Sequence, residues 1–383
     1  MADGPLRIGI TCYPTAGGSG IIATELGMRL AARGHHVHFI CAGMPIRLRA
    51  FDPRISFHPV EAASYPVFQH QPYSLNLAAT MSEVVESHEL DLLHVHYAIP
   101  HAVSAVLARQ IVRPRRLRVL TTLHGTDITL VGQQPSFHRV TRYSIDESDA
   151  VSVVSEWLAA RTRSTFGTVR PLDVVHNFVD PERFRPLPGR PERQRFAAPD
   201  ELLVLHASNF RPVKNTPRVI EVFEVLAREL PVRLLMIGEG PELPRCEQLA
   251  RDRGLAGRVT FVGSQQYIES LLPLADLVLV PSAHESFGLT ALEAMSCGVP
   301  VVTTAAGGSR EVVDDGTSGY LVDVDDLPAL VEAARAILVD GSRRRTMGEA
   351  GRRAAVACFH IDAAVTRYEA LYARLLAAGD DRA

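Results

Sequence analysis

Lysine is all but missing from this chain. Of its 40 lysine and arginine residues a single one, Lys214, is lysine, so nearly every cation is a planar guanidinium fork rather than a compact ammonium. A lone lysine against that background points to a position where a point charge fits and a fork does not. Cysteine is scarce as well: Cys12, Cys41, Cys246, Cys297 and Cys358 are odd in number, far apart and never in a C-x-x-C pair. That argues against a disulfide framework and against a thiolate metal site, and leaves buried reduced thiols as the expectation. No apolar run reaches about 18 residues, which excludes a membrane-spanning helix. The first residues, MADGPLRIGI, have no basic flank leading into a signal-type segment, so the expected location is the cytoplasm, without membrane insertion. The net charge of -3 offers no overall attraction to nucleic acid, and any anion is expected to bind locally.

What is present is a chain of 383 residues, long for one core, for which two domains of roughly 180 residues are the natural expectation. Apolar runs at residues 6–13, 36–42, 91–97, 118–124, 150–154 and 172–176 alternate with amphipathic stretches such as 20–33 and 75–89. This alternation predicts a mostly parallel, doubly wound α/β sheet. Residues 178–200 lose the pattern in a proline- and arginine-rich stretch, read as a linker. Strands at 202–207, 232–237, 259–262 and 277–281, with helices at 216–230 and 289–297, then repeat the architecture. The predicted organisation is an N-terminal Rossmann-like domain over residues 1–177, the linker over 178–200, a second Rossmann-like domain over 201–359 and a C-terminal helical segment over 360–383 packing back toward the first.

Chemistry concentrates at strand ends. The loop of residues 14–20 is glycine-rich and opens a helix, where exposed amides favour an anion; position 23 is Ala, so it is not a G-x-G-x-x-G fingerprint. Residues 121–127 close a strand with Thr121 and His124 near its carboxyl end, where open α/β sheets bind ligands. His94, His96, His101 and His124 could suggest zinc, but no nearby carboxylate or thiolate completes a site, and no metal is expected. Asp323, Asp325 and Asp326 form a D-x-D sequence that reads as a helix cap. The most specific constellation pairs Glu285 and Glu293, eight positions apart across a strand-to-helix junction, with Arg211 and Lys214, three positions apart after an apolar run. Two cations, two acceptors and the amides near Gly288 describe a pocket for a sugar diphosphate.

With its E-x7-E pattern at Glu285 and Glu293 and its Arg211 and Lys214 pair, the chain resembles the family 4 retaining glycosyltransferases of the GT-B type. These have two Rossmann-like domains facing across a cleft. GITCYPTAGGSGIIATELG, HVHYAIPHAV, TTLHGTDIT and SNFRPVKN narrow the resemblance to the branch that transfers N-acetylglucosamine from UDP-N-acetylglucosamine to L-malate, the first step of bacillithiol biosynthesis. The resemblance implies that Arg211 and Lys214 hold the diphosphate, Glu293 the ribose hydroxyls and Glu285 the transferred sugar. Phe287, Gly288 and Leu289 would line the donor site with Gly18 and Asn209. His124 would lie near the reacting carbon, so that His124, Arg211, Lys214 and Glu285 form the catalytic set. Malate, a small dianion, would meet Gly18, Ser19, Tyr97, Thr121 and Arg142. No cofactor and no metal is implied, the UDP-sugar being a substrate, and the oligomeric state, a homodimer included, stays open.

Three other readings are compatible with the residues. The acceptor could be an inositol phosphate or a lipid, although no basic amphipathic segment favours a lipid surface. The same architecture serves UDP-sugar epimerases, and a noncatalytic nucleotide-sugar binder would keep the pocket without turnover.

Overall fold

In a computed structural model, residues 4–15, 17–48, 51–61 and 72–378 are described. Ala16 of the glycine-rich loop lies outside them. Two compact units emerge, one from Met1–Asn177 with Ile361–Ala383 and one from Phe178–His360.

The first unit is a seven-stranded parallel sheet of β1 (Arg7–Thr11), β2 (His36–Cys41), β3 (Ile55–Pro59), β4 (Leu92–His96), β5 (Arg118–Leu123), β6 (Ala150–Val153) and β7 (Leu172–Val174). Its order is β3-β2-β1-β4-β5-β6-β7. Strands covered on both faces read as continuous apolar runs, and every residue of β4 and β5 is buried. The edge strand β3 is only half-buried, so its sequence, ISFHP, carried no such run and escaped the sequence reading. The second unit holds β8 (Leu202–Ala207), β9 (Val232–Ile237), β10 (Val259–Phe261), β11 (Leu277–Val280), β12 (Val301–Thr304) and β13 (Gly319–Val322) in the order β10-β9-β8-β11-β12-β13. Four-residue β12 and β13 were likewise not picked out.

In both sheets the chain first builds to one side of its opening strand and then crosses to the other. The carboxyl ends of β1 and β4, and those of β8 and β11, therefore flank topological switch points, where the first βα loops diverge and leave a crevice. The residues singled out above for chemistry, apart from Arg142 and the D-x-D sequence, fall on or near these ends or on the adjacent β5 and the loop after it.

The final helix, Ile361–Ala377, completes the first unit. Tyr368 and Tyr372 are buried beneath the sheet, and the Tyr372 hydroxyl lies 2.8 Å from His94 Nδ1. Arg29 Nε donates to Asp362 at 2.7 Å and Arg33 to Glu369 at 2.7 Å, fastening it to the helix Gly18–Ala32. Residues 178–200, read as a linker, are built into the second unit. Phe178, Val179 and Phe184 are buried in it, while Arg190 and Arg193 reach Asp276, whose carboxylate also accepts from Leu203 N at 2.8 Å. Low periodicity here reflects a wrapping segment held by arginines. Asp326 accepts from Ala329 N at 2.9 Å and caps the helix Leu327–Val339, in line with the reading of the D-x-D sequence.

Candidate active site

At the switch point of the second unit three loops converge. The segment after β8 runs through Ser208, Asn209 and Phe210 into a short turn, Pro212–Lys214, before the helix Thr216–Glu229. A backbone strap, Ala283 N to Val213 O at 2.8 Å, ties it to the segment after β11. That strap sets Lys214 beside Glu285, and Lys214 Nζ donates to Glu285 Oε1 at 2.6 Å. Ser282 Oγ donates to the same oxygen at 2.8 Å. Lys214 remains 25% exposed and Glu285 11%, so the pair sits in the wall of the site with room above it. Arg211 is exposed, and its guanidinium has no hydrogen-bond or ion-pair partner among the described residues.

Beneath the loops lies His206, fully buried. Its Nδ1 must donate to Leu279 O at 2.8 Å, which leaves Nε2 to accept from Ser208 Oγ at 2.9 Å, and Ser208 in turn accepts from Phe210 N at 3.2 Å. Burial holds this histidine down to about 4, so it is neutral and fixes the turn. Phe210 is held at φ 41°, a strained value for a non-glycine residue, and its ring is fully buried in the core.

The third loop, after β12, supplies residues that sequence reasoning missed. Gly308 N donates to Glu285 O at 2.8 Å. Gly307 has φ +69°, and a Cβ there would lie 1.9 Å from Glu285 O. Gly307→Ala is therefore expected to cost about 1–3 kcal/mol of stability; thermal unfolding of the variant tests it, and a wild-type midpoint would contradict the assigned contact. Ser309 Oγ is buried without a hydrogen-bond partner, 3.7 Å from where a side chain on Gly288 would begin. Asn209 Oδ1 is buried and unpartnered in the same way. Such atoms are costly unless something satisfies them, and both belong to loops of this site. The sequence signal for Ser309 was the double glycine before it.

Gly288, at φ +105°, opens the helix Leu289–Ser296, directing first-turn amides toward the loops. Phe287 is buried edge-on against Phe359 at 5.6 Å. Leu289 is half-buried, and Glu293, one turn further along, is 4% exposed.

In the first unit, His96, Tyr97, His101 and His124 gather at the ends of β4 and β5. His96 Nδ1 lies 2.8 Å from His124 Nε2, and Tyr97 stacks on His124 at 5.6 Å. His101 Nδ1 donates to His96 O at 2.5 Å, leaving His96 Nε2 and His101 Nε2 buried without partners. Burial pushes His124 down to about 3 and His101 to about 4. These imidazoles are neutral near pH 7.

Asp127, not singled out for this role by sequence, organises the turn. It is 1% exposed and accepts from Gly125 N at 2.9 Å, His124 N at 3.3 Å and Ala98 N at 3.1 Å, stitching the exit of β5 to that of β4. Burial raises it to about 6, opposed by those backbone donors.

Gly18 is exposed and Ser19 buried in the first turn of the helix Gly18–Ala32. The preceding loop folds back so closely that a Cβ on Gly20 would lie 2.3 Å from Tyr13 O. The residues expected at the acceptor also include Thr121 and Arg142. Thr121 is fully buried and its hydroxyl is shared with Ser148 Oγ at 2.7 Å, because strand alternation turns it into the core. Arg142 is 54% exposed on its helix and pairs with Asp146 four residues on; none of the described contacts joins it to the histidine cluster.

Two parallel Rossmann-like units with loop sites at their switch points are the GT-B architecture. The structure is similar to sucrose-phosphate synthase from Thermosynechococcus elongatus, with a TM-score of 0.82 and 25% identity over 98% of this chain and 100% of that one. Residues 16–183 match the model for Glycosyltransferase Family 4 and residues 190–354 that for Glycosyl transferases group 1. The chain is 42% identical to N-acetyl-alpha-D-glucosaminyl L-malate synthase of Bacillus anthracis, over 96% of each. It is 30% identical to a GDP-mannose-dependent alpha-(1-6)-phosphatidylinositol monomannoside mannosyltransferase of Mycolicibacterium smegmatis, over 76% of this chain and 79% of the relative. The chain belongs to the family 4 glycosyltransferases.

Proposed function

We propose that this glycosyltransferase moves N-acetylglucosamine from UDP-N-acetylglucosamine to the hydroxyl of L-malate with retention at the anomeric carbon, in the cytoplasm. The observation that carries the donor half is the meeting of Lys214 and Glu285, 71 residues apart in sequence, at 2.6 Å beside the exposed Arg211. The malate half is supported by the 42% identity to the synthase that bears that acceptor in its name.

In this reading Arg211 and two remaining N–H donors of Lys214 take the diphosphate, Glu285 accepts from a sugar hydroxyl and Glu293 from the ribose. Asn209, Ser309 and the amides of Gly288 and Leu289 complete the donor site against Phe287. Breaking the bond between C1 and the phosphate oxygen sends its electron pair to UDP. The added charge meets fixed cations and amides that need no reorganisation, so no divalent metal is required for the step. The malate oxygen bonds C1 from the face the phosphate leaves, and its proton passes to a phosphate oxygen. In this reading neutral His124, held by Asp127 through the backbone, serves the transferred sugar, and Gly18, Ser19 and Tyr97 receive the malate carboxylates.

With chelator present, UDP-N-acetylglucosamine and L-malate are expected to give UDP and the glycoside. A panel of UDP-glucose, GDP-mannose, inositol 3-phosphate and a lipid acceptor tests the alternatives. UDP release without malate, or faster with another acceptor, would overturn the acceptor assignment, and donor rearrangement without any acceptor would point to an epimerase.

A further inference from the structure

Away from the transfer loops, three histidines assemble on the first unit. His38 stands on β2, His58 on the edge strand β3, and His88 directly follows the helix Tyr73–Ser87. The parallel register sets His38 opposite Ser56 and Ile40 opposite His58, so alternation puts His38 and His58 on one face. The helix covers that face, packing Leu77, Met81 and Val84 with Ile40, and its end delivers His88. The ring centroids are 5.3, 4.7 and 4.9 Å apart. One ring nitrogen from each histidine lies within 4.8 Å of the other two.

Three imidazoles do not satisfy one another. His38 Nδ1 and His58 Nε2, 3.0 Å apart, share a single proton between them, and the His88 ring makes no hydrogen bond among the described residues. Glu89, next to His88 in sequence, is engaged by Arg7. Nitrogens bound to one tetrahedral zinc at about 2.05 Å would be about 3.3 Å apart, close to the separation of the first two; the exposed His88 ring has only to turn inward. Imidazole suits zinc, copper and nickel, whereas magnesium and calcium seek oxygen.

We propose that His38, His58 and His88 form a three-histidine site for a zinc-like divalent transition-metal ion, with water completing the coordination. The ion would clamp the edge strand β3 and the end of the helix Tyr73–Ser87 to β2. Its role is structural, at the β3 edge of the sheet, where His38 is the third of six residues in β2 and His58 the fourth of five in β3.

The test uses the tag-free full chain, stripped with chelator and titrated with cobalt, whose visible absorption reports coordination, followed by zinc. One equivalent of cobalt is expected to bind and to be displaced by zinc, and zinc loading is expected to raise the thermal midpoint. His88→Ala, at an exposed position outside the core, is expected to weaken binding by about 100-fold or more, since even outer-shell partners are worth about 10- to 100-fold. His58→Ala should do the same, and metal-free His88→Ala should unfold like the metal-free wild type. Absence of stoichiometric binding, or wild-type affinity in both variants, would overturn the proposal. Transferase rates do not enter the readout, so it stands or falls separately from the proposed reaction.

Discussion

Lys214→Ala is expected to lower kcat by about 10²- to 10³-fold, the usual consequence of removing one fixed donor from a developing oxyanion, and Lys214→Arg is expected to recover little of it. The arginine variant carries the argument. It preserves the charge, and so the electrostatic support of Glu285, but a planar fork cannot replace an ammonium whose nitrogen already sits 2.6 Å from Glu285 Oε1 in a site with the lysine only 25% exposed. A fork there displaces Glu285 or points past the phosphate. Steady-state kinetics with varied donor separates the effects: a loss mainly in kcat indicates a contact that strengthens as UDP departs, whereas a loss confined to KM indicates uniform binding. Wild-type kinetics in Lys214→Arg would make the single lysine of this sequence a compositional accident.

Mild acid is expected to unfold the protein steeply. His94, His96, His101, His124 and His206 are all held neutral by burial, at about 3 for His94 and His124, about 4 for His101 and His206, and well below the ordinary value for His96. A histidine depressed in the folded state contributes stability above its unfolded value of about 6.5, and that contribution is lost as pH falls toward its folded value. Each contributes a slope of about 1.4 kcal/mol per pH unit in that window. Asp127 acts with the opposite sign. Raised to about 6, it favours the folded state at low pH and loses that contribution as pH rises from about 3.9 to its folded value, so it offsets about one histidine there. The remaining slope is roughly 5 kcal/mol per pH unit below pH 6, against a total stability of about 5–15 kcal/mol. Urea midpoints should fall sharply between pH 6.5 and pH 5, with an acid unfolding midpoint near pH 5. Unchanged midpoints over that range would mean that the cluster is hydrated or already protonated in the folded protein.

Much of this is legible in the sequence. Fully buried strands announce themselves as unbroken apolar runs, and the spacing of Glu285 and Glu293 around a strand-to-helix junction is local, as is the pairing of Arg211 with Lys214. What the residues alone did not reveal is set by tertiary register. The contact between Lys214 and Glu285, 71 residues apart in sequence, depends on the strap between Val213 and Ala283. Ser309 and Gly307 enter the site because β12 lies next to β11. Thr121 looked accessible at a strand end, yet the pleat sends its hydroxyl to Ser148. The half-buried β3 lacked an apolar run, and without it His58 had no visible relation to His38. The segment 178–200 showed no periodicity because arginines, rather than an apolar face, hold much of it to its unit.

The most direct measurement of the central claim is the proton NMR spectrum of the product formed from UDP-N-acetylglucosamine and L-malate. The account predicts one glycoside, with the α-configured anomeric proton of the donor retained and the sugar attached through the malate hydroxyl oxygen. A β-anomer, free N-acetylglucosamine as the sole sugar product, or unchanged malate beside a rearranged sugar would contradict it.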